Sequence, residues 1–586
     1  MCTGYYPYTE DLINLNQCPP TRGKMTVQER LAGVFTPLNL PQWEAMLDKH
    51  PDRSYVDFIL GGIRDGFRIG YHPPAEGPSL SSARKNMRSA DDNPQVVQDY
   101  LEAELRRGVV LGPFIRAEVP EVHLNRFGVI PKSHQPGRWR LIVDLSYPEG
   151  RSVNDGISPD LCSLQYVKVD DVVQQVLQLG PGALMAKLDV KSAYRIVPVH
   201  PQDRHLLGMQ WKDGVYVDAA LPFGLRSAPK IFNALADAVE WIVREHGVSH
   251  LWHYLDDYIT CGPAGSEECH FNLQLLIDVC QHLGVPLAEE KVEGPTTALV
   301  FLGILIDTVQ GELRLPGEKL ERLQSSVKEW SQRRRCTKRE LLSIAGQLQH
   351  AATVVWPGRT FLRRLFDLSA TVKKPNHHVS LNAGARSDLA WWSVFLEQWN
   401  GVSLLAVLGE QEPSVILTSD ASGSWGCGAY WGSQWFQLPW HGTVGTAGAN
   451  IATKELIPIV IAAALWGKAW AGLVVLCRCD NEAVVAVLNK RTSRDHDLMH
   501  LLRCLTFFEA QFSFRMTATH IAGSQNTLAD DLSRDNLSSF LRMTECKSLD
   551  GQCIPPQPLL DMLINRKPDW TSPAWREMFR GILNMA

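Results

Sequence analysis

No run of apolar residues in this sequence is long enough to cross a bilayer: the longest, Leu456 to Trp466, is short and contains Pro458. Met1 to Leu15 lack the basic start and apolar centre of a secretory leader. These absences set the expectation of an intracellular protein without a membrane partner, with cytoplasm and nucleus both open. The 13 cysteines follow no regular spacing, which argues against a disulfide framework and suits a reducing compartment. Cys477 and Cys479 flank Arg478 in a strand-like run and read as packed thiols rather than a zinc site. An excess of positive charge is missing too. With 58 Lys+Arg against 63 Asp+Glu, the net charge of -5 excludes a uniformly basic nucleic-acid binder and leaves only a local basic track to be sought.

What remains is ordinary globular composition, 45% hydrophobic and 21% charged, over 586 residues, enough for three or four domains. The chain turns on Trp252 to Thr260, where adjacent Asp256 and Asp257 stand among apolar and aromatic residues. Two like charges at close range repel by about 1 kcal/mol in water and about 4 kcal/mol at an effective dielectric of 20. Desolvation adds to that, so a cation should sit there. On this stretch alone a simple turn that uses two aspartates is the better reading.

In chain order, residues 1–75 read as an N-terminal helical extension, with one helix starting at Asn39 and Pro41 and a second weakened by Gly61-Gly62. Residues 76–94, rich in Pro, Ser and Gly, read as a linker. Two strands, "RFGVIPK" and "RWRLIVDLS", then form a hairpin carrying Lys132 and Arg140, two cations suited either to a triphosphate clamp or to a solvated surface. Asp189 breaks a strand pattern where the apolar run ends, and Tyr194 follows five residues later. In "ALPFGLRSAPKIFNALADAVEWIV" a turn opens into a helix with apolar Ile231, Phe232, Leu235, Val239 and Ile242, and Gly224 permits close backbone approach. Residues 318–374 read as helices and supply the local basic track, thirteen basic residues against five acidic ones. Trp391, Trp392, Phe395 and Trp399 recur at helical spacing and read as a packed connector. The last third changes to strand, strand, strand, helix, strand, helix, helix, strand, helix, with Asp420, Glu455, Asp480 and Asp530 near element ends. Pro458 conflicts with a helix interior unless that helix starts close to Glu455.

The set "LDVKSAYRIVP", "LPFGLRSAPKIF", "YLDDYI", "LGVPLAEEKVEG" and "FLGILID", in this order, resembles the palm of a reverse transcriptase. By that resemblance Asp189, Asp256 and Asp257 are the catalytic carboxylates, and the Val190 carbonyl helps hold metal. Tyr194 is the steric gate against a ribose 2'-hydroxyl, while Phe223 and Gly224 contact the incoming nucleotide and template. The same resemblance implies that Lys132 and Arg140 bind the triphosphate, that Lys291 protonates departing pyrophosphate, and that Phe301, Leu302 and Gly303 grip the primer. The four acids of the last third resemble those of ribonuclease H, which implies that Asp420, Glu455, Asp480 and Asp530 bind two metal ions, with His520 assisting product release and Asn526 contacting substrate. The implied cofactor is Mg²⁺, two ions per active site, with Mn²⁺ as an alternative.

The resemblance implies an α+β and α/β multidomain fold, a right-hand polymerase of fingers, palm and thumb followed by a ribonuclease H-like mixed sheet with helices. The expected boundaries are 95–310 for fingers and palm, 311–411 for thumb and connection, 412–537 for the ribonuclease H-like domain and 538–586 for a C-terminal tail. Motif wording, the N-terminal stretch from Thr36 to Tyr71 and "KELIPIVIAAALWG" resemble DIRS-type, tyrosine-recombinase retrotransposons, with gypsy-type LTR elements and pararetroviruses as the nearest alternative. The expected partners are an RNA template, a DNA primer, the RNA/DNA hybrid and deoxynucleoside triphosphates. No aspartic-protease signature, zinc knuckle or integrase-like region stands in the sequence, so separate element-encoded recombinase or structural proteins are expected. Two rivals stay open: a domesticated, non-catalytic nucleic-acid binder, and an enzyme in which only ribonuclease H works.

Overall fold

The computed structural model describes residues 26–73, 80, 82, 85–131, 137, 139–398, 402–403, 413–440, 449–512, 514–543, 551–557, 559–560 and 563. The chain divides into two compact units, Met1–Leu299 and Val300–Ala586. Among the described residues no helix is long and apolar enough to cross a membrane.

The first unit is built on two sheets. One carries the two aspartates and has four antiparallel strands in the order β2-β3-β1-β4, with β1 at Leu184–Asp189, β2 at Leu251–Tyr254, β3 at Asp257–Gly262 and β4 at Glu293–Thr296. Helices α1 (Ala228–Glu245) and α2 (Glu268–Leu283) pack on it. The apolar positions read from the sequence, Ile231, Phe232, Leu235, Val239 and Ile242, are the buried face of α1, as the 3.6-residue period requires. The second sheet has five strands, Val110–Phe114, Gly214–Asp218, Gly208–Trp211, Leu124–Pro131 and Trp139–Asp144 in spatial order. Its last two strands are the expected hairpin, with Ile130 opposite Arg140.

Within the expected N-terminal extension, the described residues from 26 onward pack with the sheet. Trp43, Val56, Ile59 and Ile63 lie in the same hydrophobic core as the sheet, and the Trp43 indole donates to the Leu283 carbonyl (2.9 Å) at the end of α2. The helix Leu40–Met46 begins after Asn39 with its proline in the first turn, where a missing N–H is tolerated. The helix Arg53–Asp65 runs through Gly61-Gly62 because a Cβ at Gly62 would lie 2.2 Å from the Phe67 ring; close packing, not a break, selects glycine there. Within the expected linker, Met87 donates its amide to Phe127 and Ser89 accepts from the Val129 amide (3.1 Å), which ties that segment to the hairpin.

In the second unit, α3 (Gly317–Gln332) and α4 (Lys338–Ala351) are followed by helices Arg363–Ala370 and Ala383–Gln398. Thr337 and Glu340 close a capping box at the start of α4. Trp391 stacks on Phe361 (3.9 Å) and Phe395 (4.5 Å), and Trp391 and Trp392 are buried, so these rings pack a core rather than face a base. Trp399 lies outside the described residues.

A five-stranded mixed sheet follows, in the order β7-β6-β5-β8-β9, where β5 is Val415–Ala421, β6 Gly426–Trp431, β7 Gln434–Pro439, β8 Val474–Cys479 and β9 Arg515–His520. β5, β8 and β9 run parallel, so their chain ends gather on one edge of the sheet. Helix α5 spans Ile451–Trp466, and α6 spans Thr527–Ser533. Contrary to expectation, α5 begins well before Glu455 and holds Pro458 in its interior. Proline removes one N–H from the ladder, but almost every side chain from Leu456 to Trp466 is buried, and this packing keeps the helix continuous. Described residues past 537 also stay with this unit: Phe540 packs on Trp435, and Leu559, Leu560 and Leu563 enter the core of the sheet. Residues 564–586 of the expected tail lie outside the described residues.

Candidate functional site

The first carboxylate group is assembled by strand register. β1 pairs antiparallel with β3 so that Asp189 stands directly opposite Asp257, while Asp256 occupies the turn between β2 and β3. That turn is tight, with Leu255 in the left-handed region (φ 55°), and it is fastened by the Val190 amide donating to the Asp256 carbonyl (3.0 Å). Three carboxylates thus converge from two strand ends. Burial pushes the Asp257 carboxyl up to about 6, and the neighbouring Asp256 and Asp189 charges add to it. Asp256 is raised too, again chiefly by burial. The cation that the aspartates call for is Lys291, whose Nζ lies 2.8 Å from Asp189 Oδ2. One ammonium against three carboxylates leaves excess negative charge on hard oxygen donors, the setting that suits a divalent cation.

Around this group, Tyr194 sits half-buried between Phe223 (5.4 Å) and Phe232 (5.7 Å). Burial pushes its phenol up to about 12, and Asp256 contributes. Arg140 is exposed, with its guanidinium 5.3 Å from the Phe223 ring centre. Gly224 has φ 98°, and a Cβ there would lie 2.7 Å from the Val143 carbonyl, so the turn admits only glycine without strain. Asn154 closes this turn, donating to the Gly224 carbonyl (2.9 Å) and accepting from the Arg226 amide (2.8 Å). Lys132 lies outside the described residues.

Sequence reasoning missed the support beneath Tyr194. The next residue, Arg195, is buried and bridges Glu104 (2.8 Å) and Asp218 (2.8 Å), while donating to the carbonyls of Val109, Ala220 and Leu221. Its partners are scattered along the chain, so no local pattern announces them. In the second unit, the turn at Leu302 and Gly303 takes left-handed backbone (φ 48° and 74°). His350 Nε2 holds the Leu302 carbonyl (3.0 Å), and Lys319 Nζ holds that of Gly303 (3.2 Å). The side chain of Phe301, one of the residues expected at the primer, is 2% exposed and packs in the core.

The second carboxylate group gathers at the edge of the mixed sheet where the parallel strands end. Asp420 lies in β5, Asp480 follows β8, Glu455 projects from α5 and Asp530 from α6. Burial pushes Glu455 up to about 9, with Asp420 and Asp480 adding to the shift. Asp420 is pushed to about 6, chiefly by burial, against a hydrogen bond from Ser533. Asp530 pairs with Arg534 (2.6 Å), one helical turn on. His520 is exposed, with Nε2 3.2 Å from the Asp480 carbonyl. Asn526 was expected to contact substrate, yet it is buried, and its amide donates to Asp420 Oδ1 (3.1 Å) and the Ser419 carbonyl (3.1 Å). It orients Asp420. Donor atoms of Glu455, Cys479 and Asp480 all lie within 4.8 Å of one another, which brings in a thiol that the sequence presented only as packing.

A carboxylate triad thus stands at the strand ends of this sheet, with Tyr194, Phe223 and the Gly224 turn grouped around it. Residues 130–306 match the family described as "Reverse transcriptase (RNA-dependent DNA polymerase)". Among relatives, the chain is 24% identical over 270 residues to the retrovirus-related Pol polyprotein from transposon opus of Drosophila melanogaster, covering 44% of this chain and 25% of that protein. It is 24% identical over 212 residues to the transposon Tf2-3 polyprotein of Schizosaccharomyces pombe, covering 36% of this chain and 14% of that one. The chain thus spans a quarter or less of these relatives. Among solved structures it is similar to a foamy viral protease-reverse transcriptase in complex with double-stranded DNA, with TM-score 0.46, 15% identity, and 82% and 81% of the two chains covered.

Proposed function

We propose that this protein copies a retroelement RNA into DNA and cleaves the RNA strand of the resulting RNA/DNA hybrid. The observation that carries the polymerase reading is the register that sets Asp189 against Asp257 with Asp256 in the adjoining turn. Asp189, Asp256, Asp257 and the Val190 carbonyl would hold divalent metal, which we assign as two Mg²⁺ ions with Mn²⁺ as an alternative; bound there, it would neutralise charge on the reacting phosphate. Lys291 keeps its Nζ on Asp189 and has a proton to give to departing pyrophosphate. Tyr194, wedged between two phenylalanines and backed by buried Arg195, has little freedom to yield to a 2'-hydroxyl. Arg140 and, by resemblance, Lys132 offer cations to the triphosphate, and the Phe223-Gly224 turn gives a flat floor.

In the second unit, Asp420, Glu455, Asp480 and Asp530 would hold the metal for hybrid cleavage, again as two ions. Asn526 orients Asp420, and His520 stands at the exposed rim next to Asp480, where it can meet departing product. Several thumb cations are already paired, Arg333 with Glu329 and Glu340, Arg363 with Asp367 and Arg364 with Asp388. A cavity bordered by Gln349, His350 and Arg359 nevertheless offers the Arg359 cation to a nucleic-acid phosphate backbone. We keep residues 95–310, 311–411 and 412–537 as fingers with palm, thumb with connection and ribonuclease H-like domain. The DIRS-type assignment rests on motif wording, and it implies separate recombinase or structural partners. All ten described cysteines are free, which suits work inside the cell. Purified protein with primed RNA, deoxynucleotides and Mg²⁺ should extend the primer, and Asp257→Asn should not; equal extension by both would remove the palm assignment.

A further inference from the structure

The cluster at the end of β8 holds a donor that carboxylate chemistry does not need. Cys479 is fully buried, its sulfur accepts the Asn481 amide (3.4 Å), and it shares a radius of 4.8 Å with carboxylate oxygens of Glu455 and Asp480. A second observation points to a ligand here. Glu455 is 4% exposed, and its Oε2 has no hydrogen-bond partner among the described residues, although an unpaired buried carboxylate oxygen is costly. A tetrahedral zinc ion with a sulfur at about 2.3 Å and oxygens at about 2.1 Å sets its donors about 3.5 Å apart. The spread of up to 4.8 Å therefore closes on a single ion through side-chain shifts of about 1 Å.

We propose that Glu455, Cys479 and Asp480 form a mixed thiolate-carboxylate site for thiophilic divalent cations of the zinc and cadmium class. Mg²⁺ takes oxygen donors and gains nothing from sulfur, whereas thiolate selects zinc-like ions. The incoming ion displaces the Cys479 thiol proton to solvent and forms one metal-sulfur bond, with no change of oxidation state. Because the site shares Glu455 and Asp480 with the carboxylate group, a bound thiophilic ion competes with Mg²⁺ there and halts hybrid cleavage. That consequence rests on the cleavage reading; the binding itself does not.

The test is Cd²⁺ titrated into the purified full-length chain, followed by the ultraviolet cadmium-thiolate absorption band. The parent should develop the band at the first equivalent, Cys479→Ser should lose that equivalent, and Glu455→Gln, which keeps the thiol, should weaken it about tenfold or more. Circular dichroism of each variant identifies one that has not folded, in which case the other decides. Under Mg²⁺, the Zn²⁺ concentration that halves each protein's own cleavage rate should rise at least tenfold in Cys479→Ser. The same first-equivalent band in the parent and Cys479→Ser would overturn the site. A parent that binds Cd²⁺ as described but cuts no hybrid would overturn the cleavage reading alone.

Discussion

His253, two residues before the turn that presents Asp256, is a test of how the aspartate hairpin is held. It is buried in β2, with Nδ1 2.7 Å from Glu240 and Nε2 3.3 Å from Asp237, both on α1, while the Tyr258 ring lies 5.4 Å away. Burial opposes a charge on this imidazole, but hydrogen bonds to Asp237 and Glu240 and their charges outweigh it and raise its pKa to about 9. Glu240 is lowered in step: burial raises it, but the bond to His253 and the charges of His253 and Arg244 prevail. A histidine whose folded pKa lies above its unfolded value, 6.5, stabilises fully below pH 6.5 and loses that contribution as pH rises to about 9. A displacement of that size corresponds to about 3 kcal/mol. Urea unfolding of the parent and His253→Gln at pH 6 and pH 9 measures it. The parent should lose about 3 kcal/mol more than the variant across that interval, because other groups titrate alike in both. Equal losses would show that the imidazole is not held charged, and that the ion pairs do not fasten β2 to α1.

Other perturbations test other parts. Arg195→Met leaves Glu104 and Asp218 buried without their partner and should destabilise the first unit by about 3–5 kcal/mol; thermal unfolding that changes by less than 1 kcal/mol would contradict the network. Trp43→Ala should cost about 3–5 kcal/mol by the same measurement if the N-terminal helices belong to the core of the sheet. Gly224→Ala, with a Cβ 2.7 Å from the Val143 carbonyl at φ 98°, should destabilise by more than about 1 kcal/mol and weaken deoxynucleotide binding in the extension assay. Lys291→Met should slow primer extension about 100-fold or more and flatten the alkaline limb of its pH-rate profile.

Motif residues were legible where chemistry dictates residue type at a strand end: the spacing of Asp189, Asp256 and Asp257 carries the register that places them together. The alternating style of the last third likewise carried its element order, because parallel strands need helical crossovers. What stayed hidden depends on contacts between distant parts of the chain. Arg195 meets Glu104 from 91 positions away, and Trp43 meets Leu283 from 240. Pro458 misled because propensity describes an isolated helix, whereas α5 is held by burial on nearly all sides. Phe301 and Asn526 were read as substrate contacts because motif matching locates a residue without telling which way its side chain faces. Cys477 and Cys479 were read as packed thiols, and both are buried in the core of the mixed sheet.

If the two carboxylate groups, one in each unit, perform separate chemistries, their loss must separate the two reactions. Both are measured on Asp256→Asn and Asp480→Asn in parallel with the parent. Asp256→Asn should lose primer extension and keep hybrid cleavage, and Asp480→Asn should do the reverse. If either variant loses both activities while remaining folded, or if neither loses any, the two-site account is wrong.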